Sequence, residues 1–288
     1  MEEIPAQWRR IDVGGLEGPI LILGASDVGK STFARTLYLR AEAAGKSVAY
    51  LDGDPGQATL GLPGTLTLAL PDRERPGFPP AGKRWSRFIG GTSPVGHMLP
   101  VLVALKSLLD LAASAGVTAT ICDTTGLVDA KQGGVVLKLA KVDLLRPTAV
   151  LALQRGTELK PILEPLKRTG WTRVVELPVS PAARQRTRAE RRRYRAAKLA
   201  AYFESAQPVV LRWNELAVLP FPLFRSHQLL ALENKSGFVL GLGIVRSFSR
   251  TEKTVEVLTP VKDLGKLSAL RLGDMAVDPH TSLDRPLN

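Results

Sequence analysis

The sequence predicts an α/β fold in which helices cover both faces of a parallel sheet, followed by a small β-rich C-terminal domain. Two observations support this prediction. From residue 18 to residue 177, short apolar runs alternate with stretches of helical periodicity, and this alternation is typical of parallel strands joined by helices. After Pro208, strand-like runs are separated by glycine and polar turns, which indicates β structure.

Five short apolar runs are predicted as buried strands of the parallel sheet. They are GPILIL (18–23), SVAYLD (47–52), VTATICD (117–123), TAVLAL (148–153) and RVVEL (173–177). Stretches with apolar residues at helical spacing lie between and after them. They are residues 31–45, 99–116, 133–145 and 158–170, with an arginine-rich helix over 183–203.

The chain is expected to divide into two domains. Residues 1–206 form the α/β domain, and residues 207–288 form the small β-rich domain with strands such as FVLGLGIVRSFSR and TVEVLTPV. Residues 61–98 contain several Pro and Gly and show weak periodicity. This stretch is therefore interpreted as a loop excursion that faces the substrate.

Charge and composition limit the classes of function. The net charge of +12 favours a polyanionic partner such as nucleic acid. The sequence contains no apolar run of roughly 18 residues and no basic segment followed by an apolar one at its start, so we expect no membrane span and a cytoplasmic location. One cysteine, Cys122, excludes an internal disulfide. The histidines lack metal-ligand spacing.

The strongest motif is GASDVGKST, which fits G-x-x-x-x-G-K-[ST] between a predicted strand and a predicted helix. In this P-loop context, backbone N–H groups surround the β-phosphate of a nucleoside triphosphate, and the helix N-terminus adds partial positive charge. Lys30 is expected to reach the β- and γ-phosphates, and Ser31 to bind Mg²⁺. The predicted nucleotide site comprises Gly24, Ala25, Ser26, Asp27, Val28, Gly29, Lys30, Ser31 and Thr32.

A P-loop enzyme also needs a carboxylate near the metal, and three aspartates are candidates. Asp123 closes the strand TATICD, and Asp52 and Asp54 lie in LDGDPGQ. The alternative for Asp52 and Asp54 is an Asp-Pro-Gly turn in which the carboxylates only cap backbone groups. Beside a P-loop strand, the sequence favours a role in metal binding.

A GTPase is an alternative suggested by two partial motifs. Asp123-Thr124-Thr125-Gly126 fits D-x-x-G, and AKVD (140–143) is similar to the guanine-reading N-K-x-D. However, Lys141 and Asp143 fall in a helical stretch and the Asn is absent. The sequence therefore disfavours guanine recognition.

The helix predicted over 183–203 has arginine on nearly every side. A charged surface helix is the simplest interpretation of such a run. Its position between the last parallel strand and the second domain also suits a lid that closes over phosphates. Guanidinium groups there neutralise γ-phosphate charge and bind a phosphodiester backbone.

With these motifs in view, the chain resembles the P-loop polynucleotide 5′-hydroxyl kinase family, whose members include the RNA kinase of the eukaryotic pre-mRNA cleavage machinery and the pre-rRNA-processing kinase. The shared blocks occur in family order. They are GASDVGKST, DGDPGQATLGLPGT, FIGGTSPVGHMLP, CDTTGLV, LLRPTAVLALQR, the arginine-rich lid ending in AAYF, and GFVLGLGIV. The short chain resembles a prokaryotic form without the separate N-terminal domain of the eukaryotic relatives.

The resemblance implies roles for individual residues. Asp54 matches the acidic residue of D-x-D-x-x-Q that activates the attacking hydroxyl and approaches Mg²⁺, and Gln57 completes that motif. A substrate clasp, T-x-G-W in the family, corresponds to Thr124, Thr125 and Gly126, with Leu127 in place of the tryptophan. Base stacking is then weaker or comes from another aromatic side chain such as Trp85. The predicted catalytic residues are therefore Lys30, Asp54, Arg188, Arg191 and Arg195. The predicted metal-site residues are Ser31 and Asp54, with Asp52 and Asp123 as the further carboxylates near the P-loop.

The sequence therefore predicts an ATP- and Mg²⁺-dependent kinase that phosphorylates the 5′-hydroxyl ends of RNA or DNA, in RNA processing or repair. Two alternatives stay open. One is a nucleic-acid-binding adaptor or NTPase that holds ATP structurally. The other is a small-molecule kinase. The sequence indicates no obligate protein partner.

Overall fold

The structure is a computed structural model that describes residues 4–287. Within this range the helices are α1 (Ala6–Arg9), α2 (Lys30–Ala43), α3 (Met98–Ser114), α4 (Gly134–Leu145), α5 (Lys160–Thr169) and α6 (Arg188–Phe203). The first seven strands are β1 (Gly18–Gly24), β2 (Val48–Gly53), β3 (Thr65–Ala69), β4 (Arg84–Phe88), β5 (Ala119–Thr124), β6 (Ala149–Gln154) and β7 (Arg173–Pro178). The remaining strands are β8 (Gln207–Arg212), β9 (Ala217–Leu219), β10 (Gln228–Glu233), β11 (Val239–Ser249), β12 (Thr254–Thr259), β13 (Ala269–Val277) and β14 (Asp284–Pro286).

The first sheet contains the five predicted strands in parallel, in the order β2-β5-β1-β6-β7. Asp123 of β5 pairs in register with Ile22 of β1 on one side and with Asp52 of β2 on the other. The carboxyl ends of β1, β2 and β5 therefore meet at one edge of the sheet. Ligands of open α/β sheets bind at this edge.

Residues 61–98 do not form the predicted loop excursion. β3 and β4 lie within them and extend the sheet, because β3 pairs antiparallel with β2 and β4 with β3. The alternating Thr and Leu of TLTLA, residues 65–69, is a strand signal that the scattered Pro and Gly obscure. Of this stretch, Thr92, Ser93 and Pro94 line the cavity described below.

Helices cover both faces of the first sheet, as predicted. Because strand side chains alternate in direction, Ile20 and Ile22 of β1 point into a core with Phe33 and Leu37 of α2. Leu21 and Leu23 point into the opposite core, which they share with buried residues of α3, α4 and α5. The four predicted helices between strands are all confirmed, with ends shifted by at most a few residues.

The second sheet follows the order β14-β13-β10-β11-β12-β8, with β9 pairing to β13. The predicted boundary at residues 206 and 207 falls between α6 and β8. The two parts are not separate in their packing, since Phe88 of β4 and Leu199 of α6 share a core with Leu229, Ile244 and other residues of the second sheet. Along residues 4–287, no helix combines the length and apolarity that crossing a membrane requires.

Candidate active site

The loop between β1 and α2 has the backbone that its glycines permit. Gly29 adopts φ 86° immediately before the helix, a left-handed conformation that favours glycine. The first residues of α2 consequently present their N–H groups at the edge of the sheet where β1 ends. This is the arrangement of an anion-binding helix N-terminus.

A cavity of about 840 Å³ opens above this loop, within the size range of small-molecule sites. Four segments and the lid form its wall. The wall includes Ser26, Asp27 and Gly29–Thr32 of the P-loop, Asp54, Gly56, Gln57 and Thr59 after β2, Thr92–Pro94, Thr125–Leu127 after β5, and Arg184, Arg186, Arg188, Arg191, Arg192, Tyr194 and Arg195 of the lid. The predicted residues Gly24, Ala25 and Val28 do not line this wall, and Val28 is buried in the core.

Lys30 is only 7% exposed, and its Nζ donates a hydrogen bond to the carbonyl oxygen of Ala25 at 2.7 Å. Burial lowers the pKa of Lys30, and the nearby carboxylates of Asp123, Asp54 and Asp27 oppose this shift. The ammonium group is thus surrounded by acidic groups inside the P-loop. An anionic phosphate bound beside Lys30 favours the charged form of the lysine in the same way as these carboxylates.

Asp123 lies beside Ser31, because β5 pairs directly with β1, which leads into the P-loop. The aspartate is 2% exposed, and burial raises its pKa against the opposing effects of Lys30 and of a hydrogen bond from Ser31. Its Oδ2 accepts from the Tyr50 hydroxyl at 3.4 Å. Its Oδ1 is buried and has no hydrogen-bond partner among the described residues. A buried carboxylate oxygen without a partner, next to a serine hydroxyl, fits a bound cation.

Asp54 and Asp52 differ in their surroundings. Asp54 lines the cavity, and its Oδ1 accepts from the backbone N–H groups of Gly56 and Gln57 at 2.9 and 3.0 Å. Asp52 lies outside the wall and accepts through Oδ2 from the N–H groups of Thr59 and Leu60, both at 2.7 Å. Its Oδ1, like that of Asp123, is buried and has no hydrogen-bond partner among the described residues, so the metal-binding role of Asp52 stays a prediction.

No group of three or more His, Cys, Asp or Glu side chains that could hold a metal ion occurs between residues 4 and 287. This arrangement is compatible with Mg²⁺, which proteins often bind through one or two carboxylates together with substrate phosphates. Ser31, Asp123 and Asp54 are the groups placed for that task. A metal such as Zn²⁺, which needs three or four protein ligands, does not fit them.

The predicted clasp after β5 divides into a buried and an exposed part. Thr124 is 1% exposed; its hydroxyl donates to the carbonyl of Ile22 at 2.7 Å and accepts from Lys138 Nζ at 2.9 Å. Direct substrate contact by Thr124 is therefore not supported. Thr125 and Gly126 do line the cavity. Lys138 of α4 also donates to the Thr125 carbonyl, so a buried lysine that the sequence analysis missed holds this loop.

The partial guanine-reading motif is not assembled. Lys141 is completely buried in α4, and Asp143 of the same helix pairs with Arg146 at the surface. Burial lowers the pKa of Lys141 to about 8, and its Nζ has no hydrogen-bond partner among residues 4–287. Neither side chain lines the cavity, which agrees with the prediction against guanine recognition.

Arg188, Arg191 and Arg195 all line the cavity, but they differ in what they contact. Arg191 pairs with Asp27 of the P-loop, and Arg195 pairs with Asp284 of β14. Arg188 and Arg192 also line the wall, and neither makes an ion pair or hydrogen bond to any described residue. The sequence does not single out Arg192, because the dense run of arginines does not show which ones face the cavity.

Gln57 and Tyr194 line the cavity, whereas Trp85 does not. The Gln57 side chain donates to the carbonyl of Gly56 at 2.8 Å, while its buried Oε1 has no partner in the described part of the chain. Trp85 does not replace the missing clasp tryptophan, since it packs against the core of the first sheet. The aromatic residue that lines the cavity is Tyr194.

A protein-family model matches the part of the chain that forms the cavity wall. The model of the family described as the mRNA cleavage and polyadenylation factor CLP1 P-loop matches residues 24–205. The matched range begins at the P-loop and ends at the close of the lid helix, so it contains every segment of the cavity wall.

Curated relatives and solved structures extend the comparison. The chain is 29% identical to the polyribonucleotide 5′-hydroxyl-kinase of Pyrococcus abyssi, covering 90% of this chain and 87% of the relative. It is 26% identical to the protein of the same name from Methanocaldococcus jannaschii, covering 91% and 87%. The structure of a wild-type Clp1p–Pcf11p complex aligns with a TM-score of 0.67 at 15% identity, covering 94% of this chain and 77% of that one. The last comparison confirms the α/β P-loop fold.

Proposed function

The chain belongs to the CLP1 P-loop family, and we propose that it is an ATP-dependent polynucleotide 5′-hydroxyl kinase that acts on RNA. The family assignment rests on the match over residues 24–205. The choice of RNA is supported by the archaeal relatives that are named polyribonucleotide 5′-hydroxyl-kinases and align along most of their length.

The observation that supports this function best is the convergence of a carboxylate, a P-loop lysine and lid arginines on one cavity. Asp54, Lys30, Arg188 and Arg192 reach its wall from three separate parts of the chain. Phosphoryl transfer needs these groups, because catalysis consists mostly of positioning and of neutralising charge on the transferred phosphoryl group. The net charge of +12 favours a polyanionic acceptor over a neutral metabolite.

In the proposed reaction, the 5′-hydroxyl oxygen forms a bond to the γ-phosphorus of ATP, and the bond from that phosphorus to the β–γ bridging oxygen breaks. Asp54 accepts the proton of the attacking hydroxyl. Lys30 and the lid arginines stabilise the negative charge on the phosphoryl oxygens. The products are ADP and an RNA with a 5′-phosphate.

Ser31, Asp123 and Asp54 are the proposed residues around Mg²⁺. The unpartnered Oδ1 of Asp123 and the adjacent Ser31 hydroxyl fit this ion. When bound, the metal supplies positive charge to the β- and γ-phosphates. Asp52 contributes indirectly by holding the backbone at residues 59 and 60.

The test is a labelling assay with γ-labelled ATP, Mg²⁺ and matched 5′-hydroxyl RNA and DNA oligonucleotides, beside a free nucleoside. We expect label on RNA. The Lys30→Ala variant should lose at least about a hundredfold in rate, as expected for loss of a charge-stabilising group. Lys131→Ala, which removes an exposed lysine outside the cavity, should retain the wild-type rate, which shows that the loss in Lys30→Ala is not a general effect of substitution or purification.

The outcomes separate the alternatives. Label on the nucleoside alone would identify a small-molecule kinase. Binding of ATP and RNA without label on any acceptor would identify an adaptor that holds ATP structurally. Full activity in Lys30→Ala would contradict the assignment of this cavity as the active site.

A further inference from the structure

The lid contacts the P-loop through the side chain of one P-loop residue, Asp27. Its Oδ1 accepts from Arg186 Nε at 3.0 Å, and its Oδ2 accepts from the Arg186 backbone N–H at 3.0 Å and from Arg191 Nη2 at 2.5 Å. The Asp27 side chain is 3% exposed. Burial by itself would raise the pKa of Asp27, but the hydrogen bonds from Arg186 and Arg191 outweigh it and lower that pKa.

These contacts leave most of each guanidinium available. A guanidinium has five N–H donors, and Asp27 accepts one from the Arg186 side chain and one from Arg191. Both arginines also line the cavity. The carboxylate therefore fixes where the two side chains lie without withdrawing them from the space above the P-loop.

Separate contacts hold the rest of α6. Lys198 Nζ donates to the carbonyl oxygens of Ala58, Thr59 and Gly61, at 2.5, 3.1 and 3.1 Å. Arg195 pairs with Asp284 at 2.9 Å. These anchors lie along the helix body, whereas most residues from 181 to 189 are exposed. Arg186 in this exposed stretch reaches the P-loop through Asp27.

We propose that Asp27 is a positioning residue that holds Arg186 and Arg191 over the nucleotide phosphates. The P-loop thereby positions Arg186 and Arg191 of the lid as well as its own Lys30. This inference rests on the proposed function only for the identity of the phosphates; the lid contact itself does not depend on it.

Asparagine is an informative substitution at this position. Asp27 adopts φ 58°, a left-handed conformation that Asn tolerates nearly as well as Asp. Its backbone carbonyl accepts from Arg155 Nη2 at 2.8 Å, and Asp27→Asn leaves that group in place. The variant removes the negative charge while keeping the size and the favoured backbone conformation.

The first experiment measures tryptic cleavage of the folded protein after Arg184, Arg186 and Arg188, without ATP or RNA. Asp27→Asn should be cleaved there about tenfold faster than wild type, the order expected for losing charge-assisted hydrogen bonds. Asp110→Asn, which removes an exposed carboxylate paired with Lys106, should be cleaved at the wild-type rate. An equal rate for Asp27→Asn and wild type would overturn the proposal.

A second measurement tests whether Asp27 acts through Arg191. Arg191→Gln removes one of the two Asp27 ion pairs from the lid side, so it serves if Asp27→Asn folds poorly. We expect each variant to lower kcat/KM for ATP about tenfold, and the Asp27→Asn/Arg191→Gln double variant to lose less than the product of the two single losses, because both remove the Asp27–Arg191 pair. Independent losses that multiply in the double variant would contradict the proposal.

The two measurements also separate this inference from the proposed function. Faster lid cleavage in Asp27→Asn, with no kinase activity in the wild type, would support the lid contact and reject the kinase. Wild-type kinase activity with unchanged lid cleavage and unchanged kcat/KM in Asp27→Asn would reject the positioning role alone.

Discussion

Gly126 lies directly against Ser26, so the loop after β5 touches the backbone of the P-loop. A Cβ at position 126 would come within 2.6 Å of the Ser26 Cα and N, and nearer still to its Oγ. No side chain fits in this gap unless one of the loops moves. The clasp segment is consequently held at a fixed distance from the phosphate-binding loop.

We expect Gly126→Ala to lower kcat/KM for ATP by about a hundredfold, because displacing a positioned loop by an ångström costs about that much. The assay is steady-state labelling at varied ATP. Gly156→Ala is the matched control, since its added Cβ would meet only the end of the Glu158 side chain, at 3.8 Å. Equal loss in both variants would show that the effect does not come from the Ser26 contact.

Asp54→Asn tests the proposed proton acceptor. The amide keeps an oxygen that can accept from the Gly56 and Gln57 N–H groups, so the turn should persist. It cannot take the hydroxyl proton, and we expect kcat to fall by about a hundredfold or more. Binding of an ATP analogue, followed by fluorescence titration, should change far less. Wild-type kcat in Asp54→Asn would exclude Asp54 as the base.

Arg192 and Arg193 form a matched pair on one helix. Arg192 lines the cavity without an ion pair or hydrogen bond to any described residue, whereas Arg193 is exposed and lies outside the wall. If Arg192 contacts the phosphates of the RNA strand, Arg192→Ala should raise the KM for the oligonucleotide. The slope of oligonucleotide affinity against salt concentration should also fall by the equivalent of about one phosphate contact. Arg193→Ala should change neither. The same KM and salt slope in both variants would contradict this assignment.

Because Lys141 is buried, we expect the free energy of unfolding to depend on pH. Burial lowers its pKa to about 8 from the ordinary 10.5, although Asp54, Cys122 and Asp123 favour the charged form. The folded state therefore binds fewer protons than the unfolded state between these values, and stability rises with pH in that window. Below pH 8 the buried charge costs on the order of 3 kcal/mol.

Removing this charge should therefore help most at neutral pH. We expect the gain in Tm of Lys141→Met over wild type to be several degrees larger at pH 7 than at pH 9.5. Lys131→Met, at an exposed position, should show no such dependence. Thermal unfolding by circular dichroism provides the measurement, and a gain that is the same at both pH values would contradict the lowered pKa.

Much of the fold followed from local sequence. The parallel strands and the helices between them were predicted because apolar periodicity and glycine breaks lie within each segment. β3 and β4 were missed because Pro and Gly around them outweighed the short alternation of TLTLA. In the candidate site, residues of the predicted P-loop, Asp54, and Thr125 and Gly126 of the predicted clasp all line the cavity.

Two of the predicted site residues have hydrogen-bond partners that are distant in sequence. Asp52 accepts from N–H groups seven and eight residues away, and the Thr124 hydroxyl donates to a carbonyl 102 residues away. Lys138 was overlooked because a lysine in a helical stretch is usually solvated. Nothing in its own segment shows that it is buried beneath the clasp.

The sequence by itself determined the fold class, the phosphate-binding loop and the kinase resemblance, because each depends on residue types at short fixed spacings. Only the tertiary structure decided which lid arginines form ion pairs with carboxylates of the described residues and which do not. Arg191 meets Asp27 across 164 residues, and Arg195 meets Asp284 across 89. The physical reason is that distance and burial in the folded chain decide which carboxylate an arginine pairs with. Seven arginines within twelve residues cannot be told apart before the fold brings those carboxylates near them.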